Sequence, residues 1–179
     1  YVYKRQDFGG DTLHHALGIQ VFRGARGRGG CRRDKQTQLS KALSRMRWLI
    51  VDEVSMADAP LNAAIDVQLR NLVQQHGTYK QDRYNMDRPF GGLNVLFVGD
   101  FFQLDPPSKN IPVHKVPSEI VAMATGTVPR APAPTAAHGQ QLWWGGPEVG
   151  VQSVTELTTP WRCRDPWWLE VQAQRCLGL

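Results

Sequence analysis

Four consecutive apolar residues, Trp48, Leu49, Ile50 and Val51, run directly into two carboxylates, Asp52 and Glu53. A run this short, with β-branched members and no polar alternation, predicts a strand covered on both faces, as in a parallel sheet. Open α/β sheets bind ligands at the carboxyl ends of their strands, so adjacent acids at that edge describe a nucleotide and metal site. One acid is suited to hold Mg²⁺ directly or through water, and the other to orient and deprotonate a water attacking a γ-phosphate. An acid after an apolar strand also serves simply to cap the next helix.

A second apolar, β-rich segment, Leu93 to Val98, narrows the choice. It leads into Gly99-Asp100-Phe101-Phe102-Gln103-Leu104, which places an amide just beyond the edge of the same predicted sheet. Pro89-Phe90-Gly91-Gly92 before it and Asp105-Pro106-Pro107 after it carry turn chemistry, confining the strand to its apolar centre.

Leu49 to Met56 together with Pro89 to Leu104 resembles the PIF-type DNA helicases of superfamily 1. The resemblance implies an α/β fold, a P-loop NTPase (RecA-like) parallel sheet flanked by helices, with ATP as substrate and Mg²⁺ as cofactor. It sets Asp52 and Glu53 on the Walker B pair and Gln103 on the glutamine that senses the γ-phosphate and links hydrolysis to DNA movement. Gly9 to Ile19 is similar to the segment in which a threonine and a histidine touch the DNA backbone, here Thr12 and His14. Leu157 to Asp165 resembles the motif whose arginine faces ATP from across a domain boundary, here Arg162, with Cys163 in place of the usual glutamine. The same resemblance implies partners in single-stranded DNA and duplex junctions, and 5′-to-3′ translocation with unwinding. It also implies roles in repair, recombination or telomere maintenance, and an intracellular location, nuclear or mitochondrial in a eukaryote.

Each of these residues has a plainer alternative. Thr12 and His14 also suit a helix cap with a solvated neighbour, Arg162 a surface cation, and Gln103 a loop amide. Motifs gain weight when spacing and flanking structure agree with the role, as four segments in the family's order do. No Gly-x-x-x-x-Gly-Lys-Ser/Thr occurs in the sequence, so the phosphate cradle is absent and a central slice of a longer motor is expected. Residues 1–6 read as a non-native scar, because Val2 to Gln6 matches what a common transposase sequencing adapter encodes in frame. The remainder divides into a partial first RecA-like domain over 7–107, a Pro/Ala-rich connecting segment over 108–142, and over 143–179 the end of the first domain and the start of a second. Two other classes fit the same residues: a catalytically inactive nucleic-acid-binding remnant, and the helicase portion of a mobile-element replication protein.

Charge is distributed unevenly. Up to Trp48 there are 11 Lys/Arg against 3 Asp/Glu, whereas the remainder has 10 against 13. Much of the excess lies in a Gly/Arg loop over 23–35, which suits sequence-independent contact with phosphates and equally a solvated linker. Cys31, Cys163 and Cys176 are odd in number and unpaired in spacing, so reduced thiols and no zinc are expected. No apolar run approaches the roughly 20 residues of a membrane span.

Periodicity predicts a helix over 38–46 with Leu39, Ala42, Leu43 and Met46 on one face. It predicts a longer one over 58–76, capped by Asp58, with Leu61, Ala64, Ile65, Leu69, Leu72 and Val73 inward. Residues 77–88 read as an exposed loop, in which Tyr79 and Tyr84 are able to stack on bases but more often serve as ordinary loop aromatics. Pro129, Pro132 and Pro134 predict a mobile loop over 126–139. Val154 to Leu157 reads as one more strand, delivering Arg162 to the domain edge. Asp165-Pro166 opens a last helix with Leu169, Ala173, Cys176 and Leu177 on its apolar stripe, and Trp161, Trp167 and Trp168 are expected to pack.

Overall fold

Two short strands, β1 (Trp48–Val51) and β2 (Asn94–Phe97), pair in parallel with Trp48 opposite Asn94 and Val51 opposite Phe97. The computed structural model describes residues 10–19, 33–43, 46–73, 80–102, 104–108, 110–116, 134–146, 149–159, 165–167, 170, 171 and 174. A parallel pair needs a crossover, and the connection carries the central helix, here numbered in chain order after α1 (Leu13–Ala16) and α2 (Arg33–Leu43) as α3 (Ala59–Val73). One further helix, α4 (Pro134–Trp144), packs against α3.

α3 forms where its sequence predicts, because Asp58 Oδ1 accepts from Leu61 N at 2.7 Å and Pro60 sits in the first turn, where no amide is needed. Its buried face differs from the expected one. Ile65, Leu69, Leu72 and Val73 are inward, but Leu61 and Ala64 are only half-buried, and Asn62 and Asp66 are fully buried instead. α4 explains the rotation. Asn62 Nδ2 donates to Gly139 O at 3.0 Å, and Gly139 lies so close to α3 that an added Cβ would fall 1.7 Å from Ala59 O. Absence of a side chain at Gly139 lets the two helix backbones meet, and the contact needs polar Asn62 at its centre.

The prolines that predict a loop over 126–139 do not prevent this helix. Residues 126–133 lie outside the described residues, while Pro134 is the first residue of α4, a position where its fixed φ suits a helix and its missing N–H costs nothing. α2 likewise begins earlier than expected and ends at Leu43, which leaves Met46 exposed beyond it. Its Ser40 hydroxyl donates to Leu72 O at 2.8 Å, holding α2 to α3.

The main core joins Leu17, Leu43, Ile65, Leu69, Leu72, Val73, Phe90, Leu93 and Leu142, with Leu49, Val95 and Phe97 packed against it from the sheet. β1 was expected to be covered on both faces and is not: Trp48 and Ile50 are 61% and 64% exposed, while Val51 is buried. The described helices that pack on the sheet all lie against the Leu49 and Val51 side, so the strand alternates with period two. Val154 and Leu157, at 87% and 88% exposure, belong to no strand among the described residues. Trp167, expected to pack, is exposed. Its amide donates to Asp165 Oδ1 at 3.0 Å, opening a helical turn as the cap-and-proline pair predicts. Tyr79, Trp161, Trp168, the Gly/Arg loop apart from the backbone of 33–35, and the three cysteines lie outside the described residues or side chains. No described helix is long and apolar enough to cross a membrane.

Candidate nucleotide site

Parallel pairing brings the carboxyl ends of β1 and β2 to one edge, and the chain leaving each strand is bonded to the other. Val98 N donates to Val51 O at 2.8 Å, and after the acid pair Val54 N donates back to Val98 O at 3.0 Å. Asp52 and Glu53 therefore form a turn clasped between two ladder bonds. Glu53 adopts a left-handed backbone, φ 56° and ψ 44°, and its amide donates to Asp52 Oδ1 at 2.9 Å. This places a non-glycine residue where the left-handed region is costly, a form of local strain often found at functional sites.

Gly99 is demanded by the same closeness. A Cβ there would meet Val54 N at 2.9 Å and a Val54 methyl at 3.1 Å, so the acid turn and the Gly99-Asp100 loop touch backbone to backbone. Asp100 Oδ1 accepts from Phe102 N at 2.9 Å and folds the loop over. Beneath both loops lies a second, smaller core of Val54, Ala57 and Val113, with Leu61, Phe97 and Trp143 packed on it. The backbone of 111–113 closes that core: Ala59 N donates to Ile111 O at 2.9 Å, and Val113 N to Ala57 O at 3.1 Å. Asp58, buried at the start of α3, fixes the same segment by accepting from Ser108 Oγ at 2.5 Å and Asn110 Nδ2 at 2.9 Å.

Both acids are exposed. Hard carboxylate oxygens at an open sheet edge fit Mg²⁺, which binds through one or two carboxylates and otherwise keeps waters and substrate phosphates. Among the described residues no cluster of three or more His, Cys, Asp or Glu forms an all-protein cage.

Of the other sequence-predicted residues, Gln103 and Arg162 lie outside the described residues. Thr12 caps α1, its hydroxyl accepting from His15 N at 3.3 Å, and is exposed; His14 is half-buried on that helix. α1 joins the main core through Leu13 and through Leu17 just after its end, whereas the acid turn sits over the smaller one.

Sequence reasoning missed the group that holds the second strand's approach. Asp66, 1% exposed, accepts from Phe90 N at 2.5 Å, from Arg70 Nε at 2.9 Å and from His138 Nε2 at 2.9 Å. Phe90 and Gly91 both have positive φ, 54° and 63°, so the turn leading into β2 is pinned in an unfavourable conformation by a buried carboxylate. The available signal was a polar residue on a helix face otherwise apolar, followed four residues later by a cation.

The profile of the PIF1-like helicase family matches residues 7–122. The chain is 35% identical over 109 residues to the ATP-dependent DNA helicase PIF1 of Saccharomyces cerevisiae, a stretch covering 58% of this chain and 11% of that protein. It is 38% identical over 97 residues to the ATP-dependent DNA helicase Pif1 of a Psychrobacter species, covering 54% of this chain and 13% of that protein. It therefore matches only about a tenth of these relatives' length. Among solved structures, Pif1 helicase from Bacteroides in complex with ADP-AlF3 and ssDNA superposes with a TM-score of 0.58 at 25% identity, covering 98% of this chain and 34% of that one. The expected α/β, RecA-like class is the class of that neighbour.

Proposed function

Because the chain belongs to the PIF1-like helicase family, we propose that it forms part of an ATP-dependent DNA helicase motor, which translocates 5′-to-3′ on single-stranded DNA and opens duplex at junctions. The observation that supports this best is the clasp between the Asp52-Glu53 turn and the Gly99-Asp100 loop at one sheet edge. Asp52, whose Oδ1 is engaged by the Glu53 amide, would hold Mg²⁺, which when bound would supply charge neutralisation to the triphosphate. Glu53 orients the attacking water and accepts its proton. Gln103, four residues after Gly99 in the sequence, reports the γ-phosphate to the DNA cleft. Arg162 stabilises charge on the transferring phosphoryl group from the neighbouring domain. Thr12 and His14 contact the backbone of the single strand. The domain division expected from the sequence and the roles in repair, recombination or telomere maintenance within nucleus or mitochondrion belong to the same proposal.

Tailed duplexes test it. The complete protein is expected to hydrolyse ATP faster when single-stranded DNA is added, and to unwind a duplex with a 5′ single-stranded tail but not one with a 3′ tail. ATP turnover indifferent to DNA would remove the motor reading; preference for the 3′ tail would reverse the polarity alone.

A further inference from the structure

Phe101, two residues before Gln103, is held between two rings that come from distant parts of the chain. The His114 ring lies 4.7 Å away, tilted by 33°, and the Trp143 ring stands edge-on at 5.9 Å and 89°. Trp143 also packs on Phe97, the last residue of β2, at 5.1 Å, and Phe97 on Phe90 at 6.1 Å. A continuous series of rings thus joins the turn pinned by Asp66 to the loop beside the acid pair. The residues beside both flanking rings are anchored: Val113 N is bonded to Ala57 O, and Trp144 Nε1 donates to Lys115 O at 3.1 Å, tying the 112–116 turn to the end of α4.

We infer that His114 and Trp143 are positioning residues, which clamp Phe101 and so fix the Gly99–Phe102 loop against the Asp52-Glu53 turn. The inference rests on the proposed function for its catalytic consequence, but the clamp itself is a statement about the loop. His114 is built for this as a neutral ring. Its Nδ1 is buried and makes no hydrogen bond among the described residues, so a proton there would be desolvated with no acceptor. Burial accordingly holds its pKa below the ordinary value, assisted by the Lys115 cation and opposed by the Asp105 carboxylate. Those two groups pair with each other at 3.1 Å, and Asp100 on the loop is engaged by the Phe102 amide. Trp143 and Trp144 bring no titratable group from α4.

The sign follows from linkage. A ring whose pKa is depressed in the clamped state favours that state fully above about pH 6.5, the unperturbed value, and loses this advantage as pH falls below it. In the chain itself, NMR is expected to show the amides of Gly99, Phe101 and Phe102 shifting with the His114 ring resonance, with a midpoint below 6.5, and no such shift in His114→Phe. A midpoint at or above 6.5, or loop amides that ignore His114, would overturn the clamp. In the complete protein, His114→Ala is expected to lower DNA-stimulated kcat about tenfold with KM for ATP within about twofold, the scale on which small misplacement slows a positioned reaction. His114→Phe is expected to restore kcat and remove the acid limb between pH 5 and 7. An unchanged kcat in His114→Ala would refute the positioning role. If the wild type itself turns over no ATP, the proposed function fails and the NMR result alone decides the clamp.

Discussion

Replacing Asp66 by alanine is expected to cost about 3 kcal/mol of folding stability, the low end of the range for removing one partner of a buried charged network. Three donors lose their acceptor at once. Arg70 and His138 retain partial exposure and recover water, which moderates the cost. The Phe90 amide does not: it sits in a buried residue at φ 54°, and nothing else described accepts from it. Leaving a buried donor unpaired costs roughly 1–3 kcal/mol by itself. Urea denaturation of the wild type and Asp66→Ala measures the difference. Asp66→Asn keeps an acceptor for Phe90 and is expected to lose less; equal losses would assign the stability to the Arg70 and His138 pairs instead.

The second large effect is catalytic. Glu53→Gln is expected to reduce DNA-stimulated ATP turnover by roughly 10²–10⁴-fold, the usual contribution of a positioned general base, while nucleotide affinity changes little. The fold gives this substitution an unusually clean reading. The acid turn is maintained by the Glu53 amide bonded to Asp52 Oδ1 and by the Val54 and Val98 ladder bonds, none of which uses the Glu53 carboxylate. Glutamine keeps the length and the same left-handed backbone, so the turn persists and only proton acceptance is lost. Steady-state turnover and binding of a fluorescent ATP analogue, measured together, separate the two roles; retained turnover would remove Glu53 from its place.

Both strands and the acid pair were legible because their signal is local: an apolar run and the residues that end it are contiguous, and a parallel sheet aligns such ends without further information. α3 was legible for the same reason, down to its Asp58 cap. What the sequence left hidden depends on partners far along the chain. Asp66 reads as a solvated acid until Phe90 and His138 arrive, 24 and 72 residues later. α4 was concealed by prolines, since Pro134 reads as a breaker unless one knows that the helix starts on it. His114 and Trp143 carry no motif and become meaningful only when the 112–116 turn and α4 close over Phe101. The exposure of Trp48 and Ile50 shows the converse error: an unbroken apolar run predicts two covers, and the described elements supply one. Glu53, like Phe90, is a position where local preference fails, an unbranched acid held left-handed, and it is also the residue assigned the chemical step.

A structure of the complete protein with ADP-aluminium fluoride, Mg²⁺ and single-stranded DNA addresses the nucleotide site directly. Asp52 is expected within the coordination sphere of the metal or one water from it, with Gln103 in hydrogen-bond reach of the fluoride group that stands for the γ-phosphate. A triphosphate mimic bound away from the β1 and β2 edge, or Gln103 directed to the other end of the sheet, would contradict the account.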